Sequence, residues 1–251
     1  MKLQGNHIAV TGGGSGLGEA TARALAASGA RVTVIDRAGD AAARVAEVIG
    51  GHPLTLDVTD PEAGAALDGA IAVQGPLRGL VNCAGIGGAQ RIVGRDGPMP
   101  LEAFQRTVQV NLVGTFNMLR LAAARMMGNA AEDGERGAIV NTASVAAFDG
   151  QLGQAAYAAS KGGIVALALP AAREFARSGI RVNTVAPGLF LTPLLAELPE
   201  EVQQGLAASI PFPARLGDPQ EFAQAVVFCL TNAYLNAEVI RLDGALRLPP
   251  K

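Results

Sequence analysis

TGGGSGLG, residues 11–18, joins an apolar run to an alanine-rich stretch, and this junction decides the fold. Glycines let the backbone turn tightly from a strand into a helix and let a pyrophosphate approach the first turn of that helix. A glycine-rich turn is a weak indication by itself, because many tight turns use glycine. Here the context supports the assignment, since His7–Thr11 predicts a strand before the turn and Gly16–Ser28 predicts a helix after it.

Outward from this junction, apolar runs alternate with alanine-rich helical patterns along the chain. Runs that are apolar throughout are typical of strands buried on both faces of a parallel sheet. The sequence therefore predicts a single α/β domain over residues 1–251, a Rossmann-type, doubly wound, seven-stranded parallel sheet flanked by helices. The predicted strands are His7–Thr11, Arg31–Asp36, Pro53–Asp57, Gly79–Asn82, Ala138–Thr142, Arg181–Ala186 and Glu238–Leu242. The predicted helices are Gly16–Ser28, Ala41–Ile49, Pro61–Gln74, Leu101–Met127, Gln154–Arg177 and Pro219–Thr231.

Composition excludes several classes of function. With 49% hydrophobic and 17% charged residues the chain is not disordered, and a net charge of −2 without a Lys/Arg run argues against nucleic acid as a partner. No apolar stretch reaches the roughly 18 residues that cross a bilayer, so we expect no membrane segment, and the N-terminus favours the cytosol. Cys83 and Cys229 lack partners at metal-ligand spacing, so no metal site is predicted.

Asp36 ends the second predicted strand, at the separation from the glycine turn that suits a ribose-binding acid. Its carboxylate would accept hydrogen bonds from both ribose hydroxyls of NAD and would repel the 2′-phosphate of NADP. NAD is therefore the expected cofactor. Arg37 is the counter-argument, because a basic residue at this place would pair with a 2′-phosphate if it folded back, although a solvent-facing arginine is favoured.

Two further strand ends belong to the same predicted site. Asp57-Val58 would meet the adenine edge, with a helix N-cap as the alternative for the aspartate. Asn82-Cys83-Ala84-Gly85 would let the backbone approach the cofactor, with an ordinary glycine turn as the alternative.

Tyr157 and Lys161 stand four residues apart on a predicted helix, so their side chains share one face. A phenol with a pKa near 10 becomes a base at neutral pH only with about 4 kcal/mol of differential stabilisation, which a nearby ammonium would help to supply. Such pairs also occur by chance, as a packed ring beside a solvated amine.

Ser144 and Asn111 are candidate partners of this pair. Ser144 follows the fifth predicted strand, where its hydroxyl would hold the substrate oxygen or would simply cap the next turn. Asn111 is an amide in an apolar helical stretch, where it would anchor a water beside Lys161 or satisfy a helix kink.

Taken together, these motifs resemble the short-chain dehydrogenase/reductase family, and the match spans nearly the whole chain. The motifs are Thr-Gly-x-x-x-Gly-x-Gly, the Asn-Cys-Ala-Gly turn, Asn111, Ser144, Tyr-x-x-x-Lys and Pro187-Gly188. The resemblance implies Tyr157 as acid/base, Lys161 on the ribose, Ser144 on the substrate and Asn111 in a proton relay. Cys83 departs from the family pattern, since many members have asparagine there.

A narrower resemblance is to the type-2 3-hydroxyacyl-CoA dehydrogenase subgroup, also described as 17β-hydroxysteroid dehydrogenases. It rests on NTASVAAFDG (141–150), QLGQAA (151–156), APGLF (186–190), TPLL (192–195), PFPARLGDP (211–219) and EVIRLDG (238–244). The subgroup implies NAD, a homotetramer, Gln151 at the substrate carbonyl, and Phe190 and Thr192 beside the nicotinamide.

The predicted sites follow from the motifs and the resemblance together. Catalytic residues are Ser144, Tyr157, Lys161 and Asn111, and substrate contacts are Ser144, Gln151, Tyr157, Leu194 and Leu195. Cofactor contacts are Gly12, Ser15, Gly16, Leu17, Gly18, Asp36, Asp57, Val58, Asn82, Cys83, Ala84, Gly85, Tyr157, Lys161, Pro187, Gly188, Phe190 and Thr192.

Two segments interrupt the alternation, residues 87–100 and 190–215, and each follows a strand end where ligands bind in open α/β sheets. They are expected to wall the substrate site. The apolar face of the second suits a lid over an acyl chain or ordinary core packing, and Arg91 and Arg95 would attract coenzyme A or lie solvated.

Three functions therefore stay open. The first is NAD-dependent interconversion of 3-hydroxyacyl-CoA and 3-ketoacyl-CoA. The second is the same chemistry on another apolar secondary alcohol, such as a hydroxysteroid. The third is a non-catalytic NAD-binding scaffold, against which the complete set of catalytic residues argues.

Overall fold

The structure, a computed structural model, describes residues 1–250 apart from the side chain of Leu194. Strands and helices alternate along most of the chain, as the sequence predicts. The strands are β1 His7–Thr11, β2 Arg31–Asp36, β3 His52–Thr55, β4 Leu77–Asn82, β5 Val93–Gly94, β6 Gly97–Pro98, β7 Gly137–Thr142, β8 Ile180–Pro187 and β9 Val239–Leu242. The helices are α1 Gly16–Ala27, α2 Gly39–Ile49, α3 Ala63–Gln74, α4 Leu101–Val108, α5 Gly114–Met126, α6 Ala155–Phe175, α7 Pro193–Ala196, α8 Glu200–Ala208 and α9 Pro219–Thr231.

A single parallel sheet organises the domain. It has seven strands in the order β3-β2-β1-β4-β7-β8-β9, and β5 and β6 form a separate hairpin. The chain runs outward from β1 to β3 and then crosses to β4 on the other side of β1, so the strand order reverses between β1 and β4. A crevice opens at such a reversal, at the carboxyl ends of the strands. The predicted doubly wound fold is confirmed.

The sheet is buried on both faces because successive side chains of each strand point in opposite directions. On one face Leu80 and Ile139 pack against Leu67 of α3 and Met118 of α5. On the other face Val10 and Val34 pack in a cluster with Leu25 of α1 and Phe222 of α9. The two apolar layers leave the carboxyl ends of the strands as the edge at which a polar site forms.

The structure differs from the predicted elements where polar side chains bond to the backbone. The predicted helix Leu101–Met127 is interrupted by a π-helical turn, Gln109–Val113, with buried Asn111 at its centre. The third strand ends at Thr55 and not at Asp57, because the Asp57 carboxylate accepts hydrogen bonds from the backbone and hydroxyl of Thr59 and turns the chain. Segment 87–100 contains the β5–β6 hairpin, and segment 190–215 contains α7 and α8.

Helix α6 has unusual composition. Together with the turn that follows it, Ala155–Ser178 is long and apolar enough to cross a membrane by length and composition alone, with a mean hydropathy of 1.2. This differs from the expectation that no stretch of that length is apolar. The helix nevertheless packs against β8 and buries the charged side chain of Lys161, as a core helix of an α/β domain does.

His7, at the start of β1, predicts a specific pH dependence of stability. The ring is fully buried, with Nδ1 2.8 Å from the Gly75 carbonyl oxygen and Nε2 2.8 Å from Thr33 Oγ1. Burial lowers the pKa of the imidazole from 6.5 to about 4. The unfolded chain therefore binds a proton at higher pH than the folded chain, and the free energy of unfolding should fall as the pH falls from about 6.5 towards 4. We expect urea unfolding to show a loss of about 2 kcal/mol between pH 7 and pH 5.

A His7→Gln variant tests the origin of this loss. It should be less stable than the wild type at neutral pH, because two buried hydrogen bonds are disturbed, but its stability should change less between pH 7 and pH 5. His52→Gln removes the only other histidine and should keep the wild-type profile. A His7→Gln profile parallel to that of the wild type would assign the pH dependence to other groups.

Candidate active site

A cleft of about 470 Å³ opens at the carboxyl ends of β1, β2, β4 and β7, where the strand order reverses. Its walls come from the glycine turn, three strand ends, the start of α6 and the segment after β8. Among its lining residues are Gly12, Ser15, Gly16, Leu17, Gly18, Asp36, Asp57, Val58, Cys83, Ala84, Gly85, Tyr157, Lys161, Pro187 and Thr192. The structure therefore brings most of the predicted cofactor contacts together.

The glycine turn packs against neighbouring backbone so closely that residues with a side chain do not fit. Gly12 has φ +63°, and a Cβ there would lie 2.8 Å from the backbone of Ala84. A Cβ on Gly18 would collide with the carbonyl oxygen of Gly12. This backbone opens onto the first turn of α1, which is where a pyrophosphate would bind.

Asp36 lies at the far end of the cleft, at the end of β2. Its Oδ2 accepts a 3.0 Å hydrogen bond from the Gly14 amide, and its Oδ1 accepts one of 3.0 Å from the Ala38 amide. These bonds orient the carboxylate beside the glycine turn. They leave lone pairs that could accept hydrogen bonds from two ribose hydroxyls. Arg37 is exposed and also lines the cleft, so it stands next to the acid as the sequence order requires.

The loop after β3 forms the adjacent wall. Val58 is buried and lines the cleft, whereas Asp57 is exposed and turns towards Thr59. Hydrogen bonding to Thr59 lowers the pKa of the Asp57 carboxyl. Asn117 of α5 secures this loop, because its Nδ2 donates to the carbonyl oxygens of Val58 at 2.9 Å and Asp60 at 2.7 Å.

The turn after β4 is held from below by Thr11. The Thr11 hydroxyl accepts hydrogen bonds of 3.2 Å from the amides of Cys83 and Ala84. Asn82 is buried and donates to Asn141 Oδ1 at 3.0 Å, so it joins β4 to β7 beneath the cleft and does not line it. The turn therefore presents backbone and small side chains to a ligand, while its asparagine braces the sheet.

Cys83 contributes an apolar wall. Burial raises the pKa of its thiol to about 11, so the sulfur is uncharged at neutral pH. Cys229, in the core, also has its thiol pKa raised to about 11 by burial. Residues 1–250 contain no cluster of His, Cys, Asp and Glu that could hold a metal ion.

Tyr157 and Lys161 face the cleft from the first two turns of α6. Lys161 Nζ lies 5.8 Å from the centroid of the Tyr157 ring and donates a 2.8 Å hydrogen bond to the Thr142 carbonyl oxygen. Burial lowers the pKa of the Lys161 ammonium from 10.5 to about 8 and raises that of the Tyr157 phenol. Burial therefore disfavours both the phenolate form of Tyr157 and the ammonium form of Lys161. For proton transfer at neutral pH, the attraction between ammonium and phenolate has to offset these shifts.

Ser144 lies within the same constellation. It is buried, its Oγ accepts a 3.1 Å hydrogen bond from the Ala146 amide, and its hydroxyl partly offsets the rise of the Tyr157 pKa. The serine therefore does cap the next turn, as the alternative interpretation holds, and it faces the phenol as well. A capped serine has a defined hydroxyl position, which suits a group that orients a substrate oxygen.

The side-chain amide of Asn111 hydrogen-bonds to protein groups through both its oxygen and its nitrogen. Nδ2 donates to the Ile86 carbonyl oxygen at 3.0 Å and to Ser160 Oγ at 3.1 Å, and Oδ1 accepts from the Ile86 amide at 2.8 Å. A Cβ on Gly85 would lie 3.2 Å from Asn111 Oδ1 and 3.6 Å from Lys161 Nζ, so the asparagine and the lysine converge behind this turn. The side chain braces the site, and its part in a proton relay stays a prediction.

Several predicted contacts lie away from the cleft wall. The Phe190 ring is buried against Phe222, with centroids 6.2 Å apart, because Gly217 leaves room for it behind the segment. Gly188 packs against Asp243 and is not among the lining residues, whereas Thr192 touches the glycine turn at Gly16. Leu195 is half-buried on α7, and the Leu194 side chain lies outside the described part of the structure.

Gln151 lies in the loop between Ser144 and α6. Its Nε2 donates a 3.1 Å hydrogen bond to the Pro249 carbonyl oxygen, so the C-terminal tail holds the side chain that the resemblance assigns to the substrate. The amide of Gln90 bonds to the Gly153 carbonyl oxygen at 2.8 Å, which places segment 87–100 beside the same loop. Both irregular features therefore border the predicted substrate region.

Sequence reasoning missed the residues that act through the backbone. Thr11, Asn117 and the Thr142 carbonyl hold the cofactor turns and Lys161 in place. Asn117 carried a detectable signal, since an amide on the apolar face of a helix needs a buried partner. Thr11 is the first residue of the quoted glycine motif, but nothing at that position indicated that its hydroxyl would hold the turn after β4.

The fold and the cleft define a class of oxidoreductases in which a dinucleotide-binding turn and a tyrosine–lysine pair line the same cleft. The chain belongs to the short-chain dehydrogenase family, whose model matches residues 6–203.

Individual relatives agree with this assignment over nearly the whole chain. The chain is 51% identical to a Drosophila melanogaster protein named 3-hydroxyacyl-CoA dehydrogenase type-2, covering 96% of this chain and 97% of the relative. The crystal structure of 3-hydroxyacyl-CoA dehydrogenase type-2 from Mycobacterium avium superposes with a TM-score of 0.93 at 46% identity, covering 98% and 97% of the two chains. A 7α-hydroxysteroid dehydrogenase complexed with NADH and 7-oxo glycochenodeoxycholic acid is 31% identical, with a TM-score of 0.87 and coverage of 98% and 96%.

Proposed function

We propose that this protein interconverts 3-hydroxyacyl-CoA and 3-ketoacyl-CoA thioesters with NAD. The proposal is carried by the placement of Tyr157 and Lys161 in a cleft that ends at Asp36, with Ser144 beside the Tyr157 phenol, because this joins a proton-transfer group to a dinucleotide site. The full-length similarity to proteins named 3-hydroxyacyl-CoA dehydrogenase type-2 supports the thioester as substrate.

Oxidation of a secondary alcohol removes a hydride from carbon and a proton from oxygen. Bound NAD would supply the hydride acceptor, held by the glycine turn, Asp36 and Lys161. The Tyr157 phenolate takes the proton from the 3-hydroxyl, and the phenol returns it in the reduction. Ser144 orients the same oxygen through its hydroxyl.

Lys161 favours ionisation of the Tyr157 phenol. Desolvation alone raises the pKa of Tyr157, which opposes its use as a base at neutral pH. The Lys161 ammonium, held at 2.8 Å by the Thr142 carbonyl, stabilises the phenolate and offsets the cost of desolvation.

The substrate region has features that suit a thioester. Arg91 and Arg95 are exposed on segment 87–100, and Gln90 ties this segment to the loop of Gln151. An arginine pair at the rim would attract the phosphates of coenzyme A, and the leucine-rich segment after Phe190 would cover the acyl chain.

A hydroxysteroid is the second candidate substrate, because the related 7α-hydroxysteroid dehydrogenase structure contains a bile-acid derivative. The purified protein should be assayed for NADH oxidation with acetoacetyl-CoA and with a panel of ketosteroids. A higher kcat/KM for acetoacetyl-CoA supports the proposal. Turnover of steroids without turnover of any acyl-CoA would overturn it.

The choice of NAD over NADP depends on Asp36. We expect Asp36→Ala to lower kcat/KM with NAD and raise it with NADP, changing their ratio by about 100-fold, because two charge-assisted hydrogen bonds and a charge repulsion are lost. Asp40→Asn, on the exposed first turn of α2, is the matched control and should leave the ratio unchanged. An unchanged ratio in Asp36→Ala would refute this selection mechanism.

We also propose a homotetramer in the cytosol. Phe116 of α5 and Met127 just after it border one groove and are exposed apolar side chains, and Leu169 of α6, Phe228 of α9 and Tyr234 are exposed as well. A closed tetramer provides two different contacts that would cover such side chains. Light scattering should then give about 102 kDa, four times the chain mass of 25.4 kDa; a monomer mass would refute the assembly.

A further inference from the structure

Arg241 of β9 is the centre of a polar cluster outside the catalytic constellation. Its Nη2 and Nη1 donate to the two Asp149 carboxylate oxygens at 2.6 and 3.4 Å, and its Nε donates to Asp243 Oδ2 at 2.9 Å. Its guanidinium carbon lies 5.1 Å from the centroid of the Phe148 ring. We call Arg241, Phe148, Asp149 and Asp243 the Arg241 clamp.

The clamp grips the loop that separates two catalytic residues. Phe148 and Asp149 lie between Ser144, at the end of β7, and Tyr157, near the start of α6. We call residues 145–154 the substrate loop, since it also carries Gln151. Arg241 therefore connects the last strand of the sheet to the loop on which the predicted substrate contacts depend.

The C-terminal tail extends the same connection. Arg241 Nη2 also donates to the Leu246 carbonyl oxygen at 3.1 Å, which holds the chain as it leaves β9. The tail then accepts hydrogen bonds from the substrate loop, 3.1 Å from Gln151 Nε2 to the Pro249 oxygen and 3.0 Å from the Leu152 amide to the Pro250 oxygen. The loop is thus held at Asp149 directly and at Gln151 through the tail.

Arg241 is the one cation that bonds to both carboxylates of the clamp. Two carboxylates, Asp149 and Asp243, share its guanidinium, which keeps the pKa of Asp149 low. Arg247 also bonds to Asp243 at 3.0 Å, but its hydrogen bonds do not include Asp149. Without Arg241, Asp149 would lose its hydrogen-bonded cation, keep only the charge of Arg247 nearby and face the second carboxylate of Asp243, which would weaken the attachment of the substrate loop to β9.

We propose that Arg241 is a positioning residue that sets the substrate loop, and through it Gln151 and Ser144, for the acyl end of the substrate. It acts through Asp149 and the tail and does not touch the reacting atoms. The glycine turn and the Lys161–Thr142 contact lie on other elements, so we expect cofactor binding to depend on Arg241 much less than the substrate loop does, although Asp243 lies against Gly188. The identity of the substrate rests on the proposed function, whereas the control of loop position does not.

The test compares Arg241→Met with a matched variant elsewhere. For Arg241→Met we expect the KM for acetoacetyl-CoA to rise about tenfold, the Kd for NADH to stay within about twofold, and amide exchange of residues 145–154 to accelerate. Arg241→Lys should recover part of the KM, because it keeps the charge without the bidentate geometry. Arg125→Met breaks a bidentate pair with Asp68 between α5 and α3 and should change neither KM nor loop exchange.

An unchanged KM and unchanged loop exchange in folded Arg241→Met would overturn the proposal, and so would a parallel loss of NADH binding, which indicates a general structural role. If Arg241→Met does not fold, Asp149→Asn serves in its place. It should raise KM and loop exchange in the same direction, and no change would again overturn the proposal. A wild-type protein inactive on acetoacetyl-CoA would refute the proposed substrate, while NADH titration and loop exchange would still decide the role of Arg241.

Discussion

Replacement of Tyr157 by phenylalanine is expected to lower kcat about 1,000-fold, within the range usual for loss of a general acid/base. The ring is retained, so packing in the cleft and the free energy of unfolding should change little, and the Kd for NADH should stay within about twofold. Stopped-flow measurement of NADH oxidation separates the chemical step from binding. We expect a large effect because Tyr157 is the only tyrosine among the described lining residues, and the other nearby proton donor, the Lys161 ammonium, is hydrogen-bonded to the Thr142 carbonyl oxygen.

Tyr234 offers a matched control, since it is the only other tyrosine in the chain and its side chain is fully exposed. Tyr234→Phe should keep the wild-type kcat. If Tyr157→Phe retained more than about a tenth of the wild-type rate, the phenol would not be the acid/base. Full biological function of that variant in cells, with loss of function in cells lacking the protein, would instead support the non-catalytic scaffold.

Replacement of Lys161 by methionine is expected to lower kcat at least 100-fold and to weaken NADH binding about tenfold. Two causes combine, because the phenolate loses its stabilising cation and the ribose loses a charge-assisted donor. Methionine keeps the length of the buried side chain without its charge, so the variant should fold. Fluorescence titration with NADH and steady-state rates would measure the two effects separately.

The pH dependence of NADH binding provides the corresponding signature. Burial lowers the Lys161 pKa to about 8 in the free protein, so the ammonium is present below pH 8 and is lost as the pH rises through that value. The Kd for NADH should therefore rise above about pH 8 in the wild type and be less dependent on pH in Lys161→Met. Lys2→Met, at an exposed position, should follow the wild type. The same rise in Kd for Lys161→Met would assign the titration to another group.

Much of the fold could be predicted because its signals are local. The apolar runs predicted β1 and β2 at their observed bounds and placed the other five sheet strands to within a few residues. Two of the differences involve polar side chains that bond to the backbone. Asp57 ends β3 early through Thr59, and the bonds of Asn111 to Ile86 and Ser160 accompany the π-helical turn in a continuous apolar helix pattern. Neither set of bonds leaves a trace in hydrophobic periodicity, and those of Asn111 also depend on partners distant in sequence.

The residues of the site also fall into a group that the sequence predicted and a group that it did not. Residues that face the cleft from motif positions, such as Gly12, Asp36 and Lys161, were recognisable from spacing and from the strand ends they occupy. Residues whose position depends on packing were not. The motif that contains Phe190 predicted a cofactor contact, but the ring packs in the core against Phe222. The hydrogen bond from Gln151 to Pro249 joins residues 98 positions apart in sequence.

By itself, the sequence determined the class of chemistry, because Tyr157 and Lys161 share a helix face by local geometry and Asp36 follows the glycine turn by strand spacing. Tertiary structure decided how these groups are tuned and held. Burial shifts the pKa values of Tyr157 and Lys161, which requires neighbours from several elements. The Arg241 clamp joins β9 to a loop 92 residues earlier, and only folding brings a charge and its partner together over such a separation.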